Sequence, residues 1–510
     1  MTALEYTWRI AVGGEPLGAY AFTMEPTAEL ILANRSYLDH DTRPGERGPA
    51  AGGAGGLLEA VRPVIAPWDG REGTTWIGAA RGRHDRAWTD DAGFEVIQTP
   101  SGDIRHQRLF FDESDWAGHY AHVSNGFLWP LLHLLREPLP SLRSYYPAPT
   151  PPTEAQWRAF QAVNDAFAEA ALATETATCW VQDYQLGQVP ELLRAKGFRG
   201  RTGFFLHTPF PRLACAAPFL DDLSTAQFVE WLGGVLGADL IGVQTRGDVE
   251  RLCAAAEALC GASAADGGVR LGDGRLVRIA AFPVGIDTEA LAAATTLAQL
   301  PADLRGRDTA LPLVVGLERA DYTKGIPERL QAVTQALSRG ARFEYAGFSS
   351  PTREGVGAYE RLHAECERLT VEGSRVASGR GLPFLQRNCA LAWIEVLALI
   401  READVLFTAS LADGMNLVPL QTAIAQASRP ESERGVILVG RDAGVASTYR
   451  DFAEDGLVPF DPLDDERTER ALVEALEGRP GRISDRLIAT VRERDAHAWG
   501  LSFLTALTEA

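Results

Sequence analysis

The stretch LPLVVGLERADYTKGIPERL (311–330) decides the fold. A mostly apolar, β-leaning run over 311–317 breaks into polar Glu318 and Arg319, and a helical pattern follows over 325–339. A short strand that is apolar on both faces, followed by a helix, reads as one unit of a parallel sheet covered on both sides. Arg319 and Lys324 fall just after the strand, where open α/β sheets bind their ligands. Arginine offers a bidentate fork and lysine a compact point charge, a combination that suits a diphosphate.

Outward from this unit the same alternation continues in both directions. Candidate strands are 29–33, 179–182, 202–206, 239–243, 278–282, 311–317, 342–347, 404–407 and 435–439. Candidate helices are 154–173, 188–197, 246–262, 325–339, 354–369 and 388–402. The pattern predicts a doubly wound α/β fold, and the length predicts two such units. The polar, Ala-rich stretch 291–310 reads as the boundary, while 36–54 and the Pro-rich 137–153 read as loops.

Charge and composition narrow the function. The 510 residues carry 49 basic and 68 acidic side chains, a net charge of −19. That balance disfavours phosphate-backbone binding to nucleic acid and adhesion to anionic membranes. No apolar run reaches the length of a membrane span, and MTALEYTWRI lacks a signal-peptide pattern, so a soluble, cytoplasmic protein is expected. Cys179, Cys215, Cys253, Cys260, Cys366 and Cys389 form no C-x-x-C pair and read as free thiols. Lysine occurs only at 196 and 324, and methionine only at 1, 24 and 415. A GC-rich coding bias explains such scarcity, and a position that keeps a rare residue under it is a candidate for special use.

Four further segments carry chemistry. AGGAGGLLEAV (51–61) brings glycines to a helix start, where backbone amides can approach an anion. SLADGMNLVPLQ (410–421) follows strand 404–407; Asp413 can accept hydroxyl hydrogen bonds there and Gly414 frees the backbone to turn. WVQDYQL (180–186) and GFFLHTPFP (203–211) each end a strand on a polar residue, Asp183 and His207, which a structural role would explain equally well. The acidic pairs Asp90–Asp91, Asp221–Asp222 and Asp464–Asp465 read as turns or helix caps rather than metal sites.

Together ILANR, GGAGGL, SNGFLWP, WVQDYQL, GFFLHTPFP, LIGVQT, FPVGID, GLERADYTKGIPERL and DGMNLV resemble, in order, the trehalose-6-phosphate synthase family of retaining glycosyltransferases. The tail RDAHAWGLSFLTAL resembles that family's last helix. The resemblance implies a GT-B architecture. An acceptor-binding Rossmann-like domain would cover 1–290, a nucleotide-sugar domain 300–485, and helix 490–510 would pack back on the first. On the donor side it implies that Arg319 and Lys324 hold the diphosphate, with Gly55 and Gly56 near its distal phosphate. Asp413 and the amides of Gly414, Met415 and Asn416 would grip the sugar, with His207 beside it and Leu417 also on the donor side. On the acceptor side Arg35, Tyr120 and Arg353 would bind a sugar phosphate, with Trp129 lining the pocket and Asp183 bonding the sugar. The implied chemistry uses no metal and no cofactor; a homo-oligomer is compatible with it.

Three departures from the family pattern stand out. Gln421 stands where the family has a Glu that accepts the ribose hydroxyls, which leaves the donor nucleotide open among UDP, GDP and ADP. Ala79, within TTWIGAA, stands where a Trp contacts the acceptor, and its small side chain is expected to leave space. The family's HDYHL reads QDYQL, with Gln182 and Gln185 around Asp183. The expected reaction is therefore glucose transfer from a nucleoside-diphosphate glucose to glucose 6-phosphate. The alternative is a specialised relative, or a pseudo-glycosyltransferase, acting on another phosphorylated sugar or cyclitol.

Overall fold

The computed structural model describes residues 27–44, 56–70, 72–99, 102–136, 143–352 and 357–510. Among these residues, ten strands form a first sheet: β1 Leu30–Arg35, β2 Thr75–Ala79, β3 Phe94–Ile97, β4 Ile104–Leu109, β5 Thr178–Gln182, β6 Arg201–Phe205, β7 Leu240–Val243, β8 Ser263–Ala265, β9 Gly268–Arg270 and β10 Leu276–Ala281. Their order is β3-β4-β2-β1-β5-β6-β7-β10-β9-β8, parallel from β4 to β10 and antiparallel at both edges. Six strands form the second sheet: β11 Leu313–Arg319, β12 Glu344–Ser350, β13 Phe384–Asn388, β14 Val405–Thr408, β15 Val436–Gly440 and β16 Leu457–Phe460. It is parallel throughout, in the order β13-β12-β11-β14-β15-β16.

Both sheets reverse direction once. The second winds one way from β11 through β12 to β13 and the other way from β14 to β16, which is the Rossmann strand order. The parallel part of the first sheet does the same, with β1, β2 and β4 on one side and β5, β6 and β7 on the other. Each reversal opens a crevice beyond the strand ends: after β1 and β5 in the first sheet, and after β11 and β14 in the second.

The central strands are buried on both faces, β7, β14 and β15 along their whole length, because helices cover both sides of each sheet. The C-terminal helix Ala496–Thr508 lies on the first sheet: Phe503 stacks on Trp180 at 4.7 Å and Trp499 meets Phe205 edge-on at 5.0 Å. Gly203 and Gly242 make room for it, since a Cβ on either would stand within 2.8 Å of the Phe503 ring. No helix among the described residues is long and apolar enough to cross a membrane. All six cysteines are free thiols.

All the expected strands are present within two or three residues of their bounds, and β2, β3, β4, β8, β9, β13 and β16 are additional. The strand β4, IRHQRL, escapes a hydrophobicity reading because its inward positions include His106 and Arg108. Both are fully buried, with Arg108 paired to Glu95 and to Asp85 at 3.0 Å and His106 to Glu95 at 3.2 Å. The helix expected over 388–402 begins only at Trp393, because β13 occupies Phe384–Asn388 at an exposed sheet edge. The helix expected over 354–369 continues to Ser378, and a helix, Thr288–Thr295, runs into the start of the boundary stretch.

Burial predicts the acid response of the fold. Desolvation holds His106 and His133 down at about 4 and His119 and His207 at about 3. The unfolded chain protonates these rings near 6.5 while the native state does not, so it binds more protons between pH 6.5 and 4. Asp39, pushed up to about 6 by burial and by Asp85, opposes this by one proton at most. The four histidines outweigh it, so unfolding takes up protons over this range. The melting temperature is therefore highest above pH 6.5 and falls steadily toward pH 4; a flat profile there would contradict the burial of these histidines.

Candidate active site

The second crevice is built by two turns. After β11 the chain makes a tight turn, Tyr322–Lys324, and enters the helix Ile326–Ser338 through Gly325 at φ +62. Glycine is required at that position twice over, since a Cβ would also stand 1.9 Å from the Ala409 carbonyl oxygen. Buried Asp321 holds the turn: it accepts from the Thr323 amide and hydroxyl, each at 3.1 Å, and from the Tyr359 hydroxyl at 3.2 Å. Beneath it, the fully buried Arg329 pairs with Glu318 and donates to the Tyr345 hydroxyl at 3.0 Å. Gly316 leaves the space this guanidinium fills.

The turn after β14 meets the first. The Leu411 amide donates to the Thr323 carbonyl at 2.7 Å, and the Lys324 ammonium pairs with the Asp413 carboxylate. The Ser410 hydroxyl donates to the same carboxylate at 3.3 Å and accepts from the Asn416 amide at 3.2 Å. Asn416 sits at φ +66, a conformation that asparagine tolerates better than most residues, and its Oδ1 accepts from the Val418 amide at 3.3 Å. Met415 is buried beneath the loop, and Gln421 lies one turn into the helix Val418–Ala425.

In the first sheet, Arg35 projects from the end of β1 and its Nη2 lies 3.5 Å from the Tyr120 hydroxyl. Tyr120 belongs to a wide, π-type helical stretch, Ala117–Leu128, a geometry that recurs at functional sites. Asn125 ties this stretch to the far side of the crevice, donating to the Tyr120 carbonyl at 2.8 Å and accepting from the Tyr184 hydroxyl at 3.1 Å. Asp183, at the end of β5, is held at φ +70. A non-glycine residue in that region costs of order 1–3 kcal/mol and is typical of functional sites. Its carboxylate accepts from the His207 amide at 3.1 Å, and the His207 ring bonds Gln182 Oε1 through Nε2 at 2.9 Å. Burial holds His207 down at about 3, so the ring is neutral at physiological pH.

The two crevices face each other at contact distance. The Arg319 guanidinium lies 5.6 Å from the centre of the Trp129 ring, and a Cβ on Gly414 would stand 1.7 Å from the His207 carbonyl oxygen. Gly414→Ala therefore wedges the halves apart. Because a shift near 1 Å can cost about 100-fold in rate, kcat/KM should fall by about that factor while the melting temperature stays close to wild type. Activity near wild type would show that the loops do not meet during turnover.

Arg319, Lys324, Asp413, Gly414, Met415 and Asn416 thus share one crevice edge, and Arg35, Tyr120, Trp129, Asp183 and His207 the other. Leu417 and Gln421 follow directly on the loop after β14. Gly56 opens the short helix Gly56–Val61; Gly55 and Arg353 lie outside the described residues. Ala79 departs from expectation: its side chain is fully buried in the core and borders no open space, because the loops after β1 and β2 close over the strand end. Asp221 and Asp464 cap helices and Asp90 closes a turn, and among the described residues no group of three or more His, Cys, Asp or Glu side chains is arranged to hold a metal ion. Sequence reading missed Glu318, Arg329 and Asn125: each lies inside a motif, but its role comes from a partner on another element.

Two Rossmann-type units with their switch-point crevices facing across a cleft define a GT-B fold. The chain belongs to glycosyltransferase family 20, whose model matches residues 29–509, and it is accordingly a retaining glycosyltransferase of the trehalose-6-phosphate synthase family. It is 31% identical to a trehalose-6-phosphate synthase of Mycolicibacterium gilvum, over 94% of this chain and 93% of that one. It is 29% identical to one of Mycobacterium avium, over 94% and 95%. Among solved structures, an E. coli protein bound with UDP-2-fluoro glucose superposes with a TM-score of 0.74 at 23% identity, covering 95% of this chain and 99% of that one. An α,α-trehalose-phosphate synthase (UDP-forming) from Burkholderia xenovorans in complex with glucose-6-phosphate superposes at 0.73 with 24% identity, covering 94% and 100%.

Proposed function

We propose that the protein transfers glucose from a nucleoside-diphosphate glucose to glucose 6-phosphate, forming α,α-trehalose 6-phosphate with retention. The observation that carries this reading is the Arg319–Trp129 contact, which sets a diphosphate-type cation beside the crevice that holds Arg35 and Tyr120. A donor diphosphate and an acceptor phosphate could then flank one small space. The substrates named for the E. coli and Burkholderia structures, a UDP-sugar and glucose 6-phosphate, support the same pairing.

In this reading Arg319 and Lys324 stabilise the negative charge that grows on the diphosphate as the sugar C1–oxygen bond loosens. Asp413 and the amides of Gly414, Met415 and Asn416 orient the sugar hydroxyls, with Gly55 and Gly56 near the distal phosphate and Leu417 and Gln421 toward the nucleotide. Arg35, Tyr120 and Arg353 hold the acceptor phosphate, Trp129 walls the pocket and Asp183 bonds the acceptor sugar. A neutral His207 beside the donor sugar adds no charge that would oppose the developing oxocarbenium ion. The leaving phosphate takes the proton of the acceptor hydroxyl arriving on the same face, which gives retention without a protein nucleophile.

Ala79 and Gln421, with the Gln182–His207 pair, favour a second reading, in which a specialised relative or pseudo-glycosyltransferase acts on a different phosphorylated sugar or cyclitol. Incubating the purified protein with UDP-, GDP- and ADP-glucose and a panel of sugar phosphates, with products read by mass spectrometry, decides between them. Glucose 6-phosphate as the best acceptor by a wide margin removes the second reading. Release of no nucleoside diphosphate with glucose 6-phosphate removes the first.

A further inference from the structure

Ala79 is buried, so the residue that β2 presents at the crevice edge must be sought further along the chain. β1 and β2 are neighbouring parallel strands with Arg35 opposite Ala79, so Arg81 leaves the sheet at the same edge as Arg35. Its guanidinium rests 4.7 Å above the centre of the Trp116 ring. Trp116 is itself stacked on Tyr120 at 5.4 Å, and Tyr120 meets Arg35. Arg81 is exposed and has no carboxylate partner among the described residues.

The loop that carries it is built rigidly. Asp85, 1% exposed, accepts from the Arg81 amide at 2.8 Å, the Gly82 amide at 2.7 Å and the His40 amide at 2.8 Å, while Arg108 neutralises it at 3.0 Å. One buried carboxylate thus fastens the loop after β1 to the loop after β2. The packing is close, since a Cβ on Gly82 would stand 2.3 Å from the His40 amide nitrogen. A cation on a stiff loop, without a carboxylate partner among the described residues and resting on an aromatic floor shared with Tyr120, is arranged to receive an anion rather than to make a mobile surface charge.

We propose that Arg81 binds the anionic group of the acceptor together with Arg35 and Tyr120, so that charge takes over where the aromatic contact is missing at Ala79. The inference rests on the reading of a phosphorylated acceptor and deepens it. The acceptor is gripped chiefly at its phosphate, and its ring is left freer than an indole wall would leave it.

The test is calorimetric titration of glucose 6-phosphate into protein saturated with UDP, using wild type, Arg81→Met and Arg81→Lys. Arg81→Met keeps an apolar stem on Trp116 and removes the charge. It should weaken glucose 6-phosphate binding by about tenfold or more, as expected for a lost charged hydrogen bond, and Arg81→Lys should recover part of that loss. UDP affinity should stay within about twofold, because the UDP site lies on the other half. Equal glucose 6-phosphate affinity in wild type and Arg81→Met overturns the assignment while leaving a phosphorylated acceptor standing. An equal loss of UDP affinity also overturns it, because Arg81 then acts through the fold. No saturable binding of glucose 6-phosphate to wild type removes the phosphorylated-acceptor reading and this inference with it.

Discussion

Lys324→Ala should lower kcat by about 100- to 1,000-fold, the range seen when one preorganised charge stabiliser is removed from a transition state. The lysine side chain is 12% exposed and ends a turn that hangs from Asp321, so its removal leaves the turn's own hydrogen bonds in place. Asp413 loses its cation but keeps the Ser410 hydroxyl at 3.3 Å, so the loop after β14 should hold its shape. The loss should appear in kcat more than in the donor KM, because Lys324 is assigned to charge that grows as the leaving group departs. Arginine should substitute poorly, since its planar fork cannot occupy the compact place of an ammonium beside Asp413. Steady-state release of nucleoside diphosphate, with a thermal melt to confirm folding, measures this; near-wild-type kcat would contradict the assignment.

Glu318→Ala should destabilise the second unit by about 3–5 kcal/mol, the usual cost of stranding one member of a buried ion pair. Arg329 is fully buried, and without Glu318 its charge would keep only the Tyr345 hydroxyl at 3.0 Å and the Phe407 carbonyl at 3.5 Å. Burial pushes the Glu318 carboxyl up, and the Arg329 guanidinium beside it pulls against that shift. A drop on the order of 10 °C in melting temperature is expected for a unit of this size. The double variant Glu318→Leu with Arg329→Met should recover much of the loss, because no charge is then left unpaired. A single variant that melts with wild type would show that water reaches Arg329.

Both experiments act on the segment LPLVVGLERADYTKGIPERL, and they divide what could be read in it. Its strand, turn and helix were legible because they depend on local periodicity. The cations Arg319 and Lys324 were legible because ligands gather at the ends of parallel strands. The Glu318–Arg329 pair was not legible, because a glutamate at a strand end and an arginine on a helix both look solvent-facing until the sheet buries them. Likewise β4 was hidden because its buried face carries His106 and Arg108, and Arg81 because its meaning depends on Trp116, which lies on another element.

The sequence by itself determined the doubly wound class, the strand ends that carry chemistry, and through its ordered motifs the family. These follow from patterns within some twenty residues, where side-chain period and turn chemistry act directly. Only the tertiary structure decided that β1 neighbours β5 and β11 neighbours β14, and so which of those ends share a crevice. It alone joined Lys324 to Asp413, 89 residues apart, and fastened His40 and Arg81 to a single buried carboxylate. Such contacts depend on how the sheets are wound, and a linear pattern does not encode that.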